Sequence, residues 1–130
     1  MTTSLKNSQY SPKTVRRAEK ALSCSPFKLK LFSAMQNDSI PLPTIAEQQG
    51  IANNYTKIAI AESAAESYLV WLINVGLLRR EVDGQGLTDS FRLTPLGRQI
   101  IAQWEDRGKI PAASLKDRFS NWLARWMIKY

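Results

Sequence analysis

The sequence predicts a mostly helical α+β domain, and three observations carry that expectation. Apolar residues recur every three or four positions in several separate stretches, each framed by helix-capping residues. The stretch 77–94, "LLRREVDGQGLTDSFRLT", instead alternates apolar and polar residues with the period of a strand, once on each side of a Gly-containing loop. A chain of 130 residues with a hydrophobic fraction of 44% and four tryptophans is also long and apolar enough to bury one core.

The elements follow in order. The first dozen residues are polar, so residues 1–11 are expected to form a flexible N-terminus, and they lack the apolar core of a secretory signal. Ser11 as N-cap and Pro12 at the first helical position open a basic helix with Val15, Ala18 and Leu22 on one face. "SPFKLKLFSAMQND" repeats the Ser-Pro opening and places Phe27, Leu31 and Met35 together, although Phe27, Leu29 and Leu31 also alternate as a strand would. The prolines of "SIPLPT" extend the chain. Thr44 and Glu47 then read as a capping box for a brief helix that Gly50 stops.

Ile58, Ala61, Ala65, Tyr68, Leu72 and Val75 form the longest pattern, predicting a helix from about Asn54 to about Asn74, with Gly76 ending it. In the hairpin, Leu78 and Val82 fall on one side and Arg79 and Glu81 on the other. Asp83–Ser90 is too long for a two-residue turn and predicts a flexible tip. Thr94-Pro95 caps a helix that stacks Leu96, Ile100 and Trp104. After Ser114, a last helix carries a stripe of Leu115, Phe119, Trp122 and Trp126 beside Lys116, Arg118, Arg125 and Lys129.

Composition narrows the chemistry. The chain has no histidine and one cysteine, Cys24, which removes the commonest general base, the commonest metal ligand and any internal disulfide. No glycine-rich phosphate loop and no distinctive carboxylate pair is present, so the expectation is a protein that is not an enzyme and needs no cofactor. No apolar run reaches the roughly 18–20 residues of a membrane span, and a lone thiol suits a reducing cytoplasm. The net charge of +7 is uneven. Residues 1–30 hold seven Lys/Arg against Glu19 alone, whereas residues 31–75 hold Lys57 against Asp38, Glu47, Glu62 and Glu66. Such a balance fits a polyanionic partner, because neutralising phosphates releases condensed counterions.

A short helix, a second helix and then a hairpin on one small core is the winged helix-turn-helix plan, an order other α+β arrangements share. The segment "YLVWLINVGLLRREVDGQGLTDSFRLTPLGRQII" resembles the second half of bacterial winged-helix transcriptional regulators of the MarR/PadR-like kind. The corresponding pieces are Leu72, Gly76, Leu77, Arg79 and Arg80, then Phe91, Leu93, Thr94 and Gly97 in an "LTxxG" helix start. "PLPTIAEQQGI" resembles their first helix of the helix-turn-helix. The resemblance covers about residues 26–104. It implies a single winged-helix domain over residues 12–130, with extra N- and C-terminal helices flanking that core. It also implies that the long helix is the recognition helix and the hairpin the wing.

On that expectation the candidate DNA-binding residues are Lys13, Arg16 and Arg17 of the N-terminal helix, and Asn54, Thr56, Lys57, Ser63 and Ser67 of the long helix. Arg79, Arg80 and Arg92 of the wing complete the set. Each has an ordinary alternative. The N-terminal cations form a solvated face, Ser63 and Ser67 permit close helix packing, and the wing arginines pair across strands with Glu81, Asp83 and Asp89. Few Arg, Lys, Asn or Gln side chains stand on the outer face of the long helix, and Ile60 and Val70 there are apolar, so base readout is expected to be limited.

Phe119, Trp122, Leu123 and Trp126 are the candidate dimerisation residues, the alternatives being a last core helix or a membrane-surface helix. Lys20 and Lys28 near Cys24 would lower its pKa if it served as a redox sensor, against plain packing. The expected function is a homodimeric transcriptional regulator that binds double-stranded DNA, with no membrane partner. The rivals are a winged-helix module that holds another protein, and an RNA-associated adaptor.

Overall fold

A computed structural model of the chain describes residues 10–108, 110 and 115–129, with the side chains at 115, 116 and 126–129 excepted. Most of the expected flexible N-terminus, residues 1–9, lies outside the described residues. The fold is α+β and mostly helical. Among the described residues six α-helices, α1 (Pro12–Ser23), α2 (Leu29–Ala34), α3 (Glu47–Ala52), α4 (Glu62–Asn74), α5 (Pro95–Arg107) and α6 (Leu115–Lys129), surround one small antiparallel sheet. Its strands are β1 (Ile40–Pro41), β2 (Leu78–Asp83) and β3 (Gly86–Leu93), in the spatial order β1-β3-β2.

Helix α1 begins as its sequence dictates. The Ser11 hydroxyl accepts the Thr14 N–H at 3.1 Å, and Pro12 occupies the first turn, where its missing N–H costs nothing. Ala18, Ala21 and Leu22 bury its inner face in the core shared with α4 and α5. Helix α2 starts later than its Ser-Pro signal. Pro26 and Phe27 remain extended because Phe27 bridges antiparallel to Thr56 and the Lys28 N–H donates to the Tyr55 carbonyl at 2.8 Å.

Two expectations around α3 and α4 are corrected together. The long helix starts at Glu62, not near Asn54. Asn54 takes a left-handed φ of 64° and turns the chain after α3, and Thr56 N–H is bound to the Gly50 carbonyl at 3.2 Å. The periodicity reached too far because Ile58 and Ala61 continue the spacing by chance. Ile58 is 66% exposed, whereas Ile60, expected on the outer face, is buried. The capping box does not form either. Thr44 donates to the Pro41 carbonyl at 2.7 Å, while the Glu47 carboxylate accepts the Glu62 N–H at 3.3 Å and so caps α4. Gly50 lies inside α3 rather than ending it, since a Cβ there would stand 2.0 Å from the Ile45 carbonyl oxygen.

The hairpin is ordered to its tip. Asp83 pairs with Gly86, leaving Gly84-Gln85 as a two-residue turn that the Asp83 carboxylate braces by accepting the Gln85 N–H at 2.7 Å. The polar run read as a loop is a β-bulge: Thr88, Asp89 and Ser90 stand against Glu81 alone, and the Thr88 hydroxyl donates to the Glu81 carbonyl at 3.0 Å. At the other end, the Thr94 hydroxyl accepts the Gly97 N–H at 3.1 Å and donates to the Gly76 carbonyl at 2.5 Å, tying the close of α4 to the start of α5.

Glu19 on α1 supplies a pH test of this packing. Burial raises its carboxyl above the ordinary value of 4.5, and the Arg107 charge only partly offsets that. A raised folded pKa favours the folded state below the unfolded pKa, and that advantage fades as pH rises through the folded value. Glu19→Gln is therefore expected to stabilise the protein at pH 7 by less than about 1 kcal/mol, given its partial exposure, with the gain vanishing by pH 4. Urea melts at the two pH values check this, and a larger gain at pH 4 contradicts it.

Candidate nucleic-acid interface

The wing arginines divide into two groups. Arg80 extends over the Phe91 ring at 4.9 Å, and its guanidinium meets Glu66 of α4 and Asp89 of β3 at 3.3 Å each. Arg92 is paired with Glu81 at 2.7 Å. Both are largely covered, with side-chain exposures of 20% and 25%, so they fasten the hairpin to itself and to α4. Cross-strand spacing anticipated Glu81 and Asp89 as partners. Glu66 was not legible, because it lies on another element. Arg79 is exposed and forms no ion pair among the described residues.

Thr56 is removed from the candidates. It is 2% exposed, packed beneath Gly50 of α3, where no phosphate or base edge reaches it. Ser67 is half-buried and accepts from Arg125 of α6 at 3.1 Å, which leaves it inside a helix–helix contact. Ser63, in the first turn of α4, remains exposed, as do Asn54 and Lys57 in the segment before that helix. Lys13, Arg16 and Arg17 are exposed on the face of α1 opposite its buried alanines, without ion pairs among the described residues.

Two residues outside the sequence-based set join this surface. The Phe27–Thr56 bridge sets Lys28 beside the turn after α3, where its Nζ donates to the Asn54 side-chain oxygen, and Lys30 is exposed two residues on. Only the long-range bridge brings their segment beside the one that carries Lys57. Spacing alone could not have found them.

Helix α6 is held by its polar residues. Asn121 accepts from the Trp71 indole at 2.9 Å, Ser120 accepts from Lys20 at 3.1 Å, and the Arg125 guanidinium lies 4.5 Å from the Tyr68 ring centre. An open pocket of about 410 Å³ lies beside these contacts, lined by Ser63, Val70 and Asn74 of α4 and Arg125 of α6 among others. The apolar stripe faces away from these contacts. Phe119 and Trp122 stack at 6.2 Å and are 61% and 53% exposed, with Leu123 at 39%. The Trp126 side chain lies outside the described residues.

The surroundings of Cys24 run against the redox-sensor alternative. Burial raises its pKa, Asp117 raises it further, and Arg118 and Lys20 only partly oppose them. The thiol is thus kept protonated, the reverse of what a reactive thiolate needs. Among the described residues no His/Cys/Asp/Glu group is arranged to hold a metal ion, and no helix is long and apolar enough to cross a membrane.

Nothing among the curated proteins and nothing among the solved structures matches this chain. A match does exist at the level of a family, the Npun_F0494-like family, and it runs from residue 8 to residue 125, from before α1 into the last turns of α6. That span takes in the basic helix, the hairpin and the exposed stripe alike, and the protein belongs to the Npun_F0494-like family.

Proposed function

We propose that the protein is a winged-helix DNA-binding protein that acts as a homodimeric regulator and grips duplex DNA chiefly by its phosphates. The observation that carries this reading is the chain order α2–β1–α3–α4–β2–β3, with a braced hairpin directly after the longer helix of the pair. The exposed, unpaired cations Lys13, Arg16, Arg17, Lys57 and Arg79 supply the electrostatic grip. Arg80 and Arg92 keep the wing in shape instead of touching DNA. Ser63 is the base reader left at the start of α4, so discrimination among sequences is weak. The exposed Phe119, Trp122 and Leu123 join two copies, which doubles the number of phosphate contacts.

Fluorescence anisotropy on a labelled duplex at 50 and 200 mM salt tests this reading. The five or so contacts of each copy lower affinity by between two and three powers of ten across that range, and the ten of the dimer by about five. Arg79→Ala lowers the logarithmic salt slope by about one for each copy. Absence of binding at low salt overturns the proposal.

A second reading, a module that holds another protein, is favoured by one observation. Val82 and Leu87 are cross-strand partners near the wing tip, and they are 56% and 74% exposed. Unchanged DNA affinity in Arg79→Ala would favour that reading.

A further inference from the structure

The turn between α3 and α4 carries a basic surface assembled from two distant segments. Asn53 ends α3, and Asn54, at a φ of 64°, reverses the chain so that Tyr55–Thr56 run back along Phe27–Lys28. The antiparallel pairing of Phe27 with Thr56 fastens the segments together through the Lys28 N–H, which donates to the Tyr55 carbonyl at 2.8 Å, and the Lys28 Nζ adds a side-chain bond to Asn54. Lys28 thereby meets Asn54, with Lys30 two residues along the chain from Lys28 and Lys57 next to the bridged Thr56.

Glu47 and Glu62 stand at the start of α4, but among the described residues neither forms an ion pair with these lysines. The ion pairs among the described residues all involve Arg80 or Arg92, and Lys28, Lys30 and Lys57 have no carboxylate partner. Lys28 is oriented instead by the neutral amide oxygen of Asn54, which positions its ammonium without cancelling its charge. Lys30 and Lys57 are exposed. The sheet side offers the opposite arrangement, where Glu66, Asp89 and Glu81 neutralise the two covered arginines.

We propose that Lys28, Lys30 and Lys57, with Asn54 as their positioning residue, form a phosphate-binding cradle for one strand of duplex DNA. The proposal rests on the DNA-binding reading and moves its main anchor from the wing to this turn. Each ammonium takes the place of condensed cations on one or two phosphates, and α4 starts five residues beyond Lys57, so a strand held here passes its first turn.

The test is the salt dependence of duplex binding for Lys28→Gln, Lys30→Gln and Lys57→Gln, with thermal melting to confirm that each is folded. One lost contact should lower the logarithmic slope by about 0.9 and weaken binding about eightfold at 0.1 M salt. The Lys28→Gln/Lys57→Gln double variant should lose about sixtyfold on the same basis. Lys57→Arg should retain the wild-type slope, and Arg107→Gln, which removes one exposed charge from the end of α5, should too.

Slopes unchanged in the lysine variants, while the wild type binds duplex with steep salt dependence, would overturn the cradle and leave the DNA reading standing. A wild type that binds no duplex overturns both. Tighter binding to structured RNA than to a duplex of equal length overturns the assignment to DNA.

Discussion

Gly97→Ala is expected to be among the most damaging single substitutions in the chain, lowering stability by about 3 kcal/mol. Gly97 sits in the first turn of α5, and a Cβ there would lie 2.3 Å from the Leu77 carbonyl oxygen and 2.9 Å from a Leu93 methyl. The methyl can rotate aside, but the carbonyl cannot. Leu77 is held by its N–H to the Leu72 carbonyl at 2.9 Å, and its own oxygen accepts the Thr94 N–H at 3.0 Å. The added carbon must push α5 off the end of α4, which also strains the Thr94 cap. For a domain of this size that is a fall in Tm of about 10 °C. Gly84→Ala is the comparison, because nothing lies within 4 Å of its Cβ position, and it should stay near wild type. Calorimetry on the two variants decides, and equal melting temperatures would refute the steric account.

Phe91→Ala should cost as much or more, about 3–5 kcal/mol. Phe91 is fully buried on the central strand, paired with Ile40 of β1 on one side and Arg80 of β2 on the other. Its ring is also the platform for the Arg80 guanidinium, so truncation opens a cavity and removes the support of the wing's ion-pair network at once. The denaturant midpoint should fall with little change in its slope, and Phe91→Leu should recover much of the loss. Leu87→Ala, at a residue 74% exposed on the same strand, should change stability by less than about 0.5 kcal/mol. A loss below about 1 kcal/mol for Phe91→Ala would show that the site collapses around the missing ring.

The elements whose signals are local were legible in advance. Ser11-Pro12 and Thr94-Pro95 start α1 and α5 where they should, because a cap and its recipient N–H lie within three residues of each other. The strands flanking the hairpin and the stripes of α5 and α6 follow from side-chain period alone. The misreadings share another property. Glu47 resembles half of a capping box but caps a helix fifteen residues away, and Thr88, Asp89 and Ser90 look like a loop while the Thr88 hydroxyl holds a bulge. In each case the residue's partner lies on another element.

The candidate interface divides along the same line. That the chain is basic, has no histidine and presents its cations early was set by composition, and the α+β class was set by periodicity. Which cations remain available was decided by folding. Glu66 takes Arg80 from the wing, Glu81 takes Arg92, Arg125 takes Ser67, and Thr56 vanishes under α3. The bridge from Phe27 to Thr56 meanwhile pairs segments nearly thirty residues apart and brings Lys28 to Asn54. A sequence specifies charge and local preference residue by residue. Whether a charge is neutralised depends on distances of 3–4 Å between elements, and only the packed chain sets those.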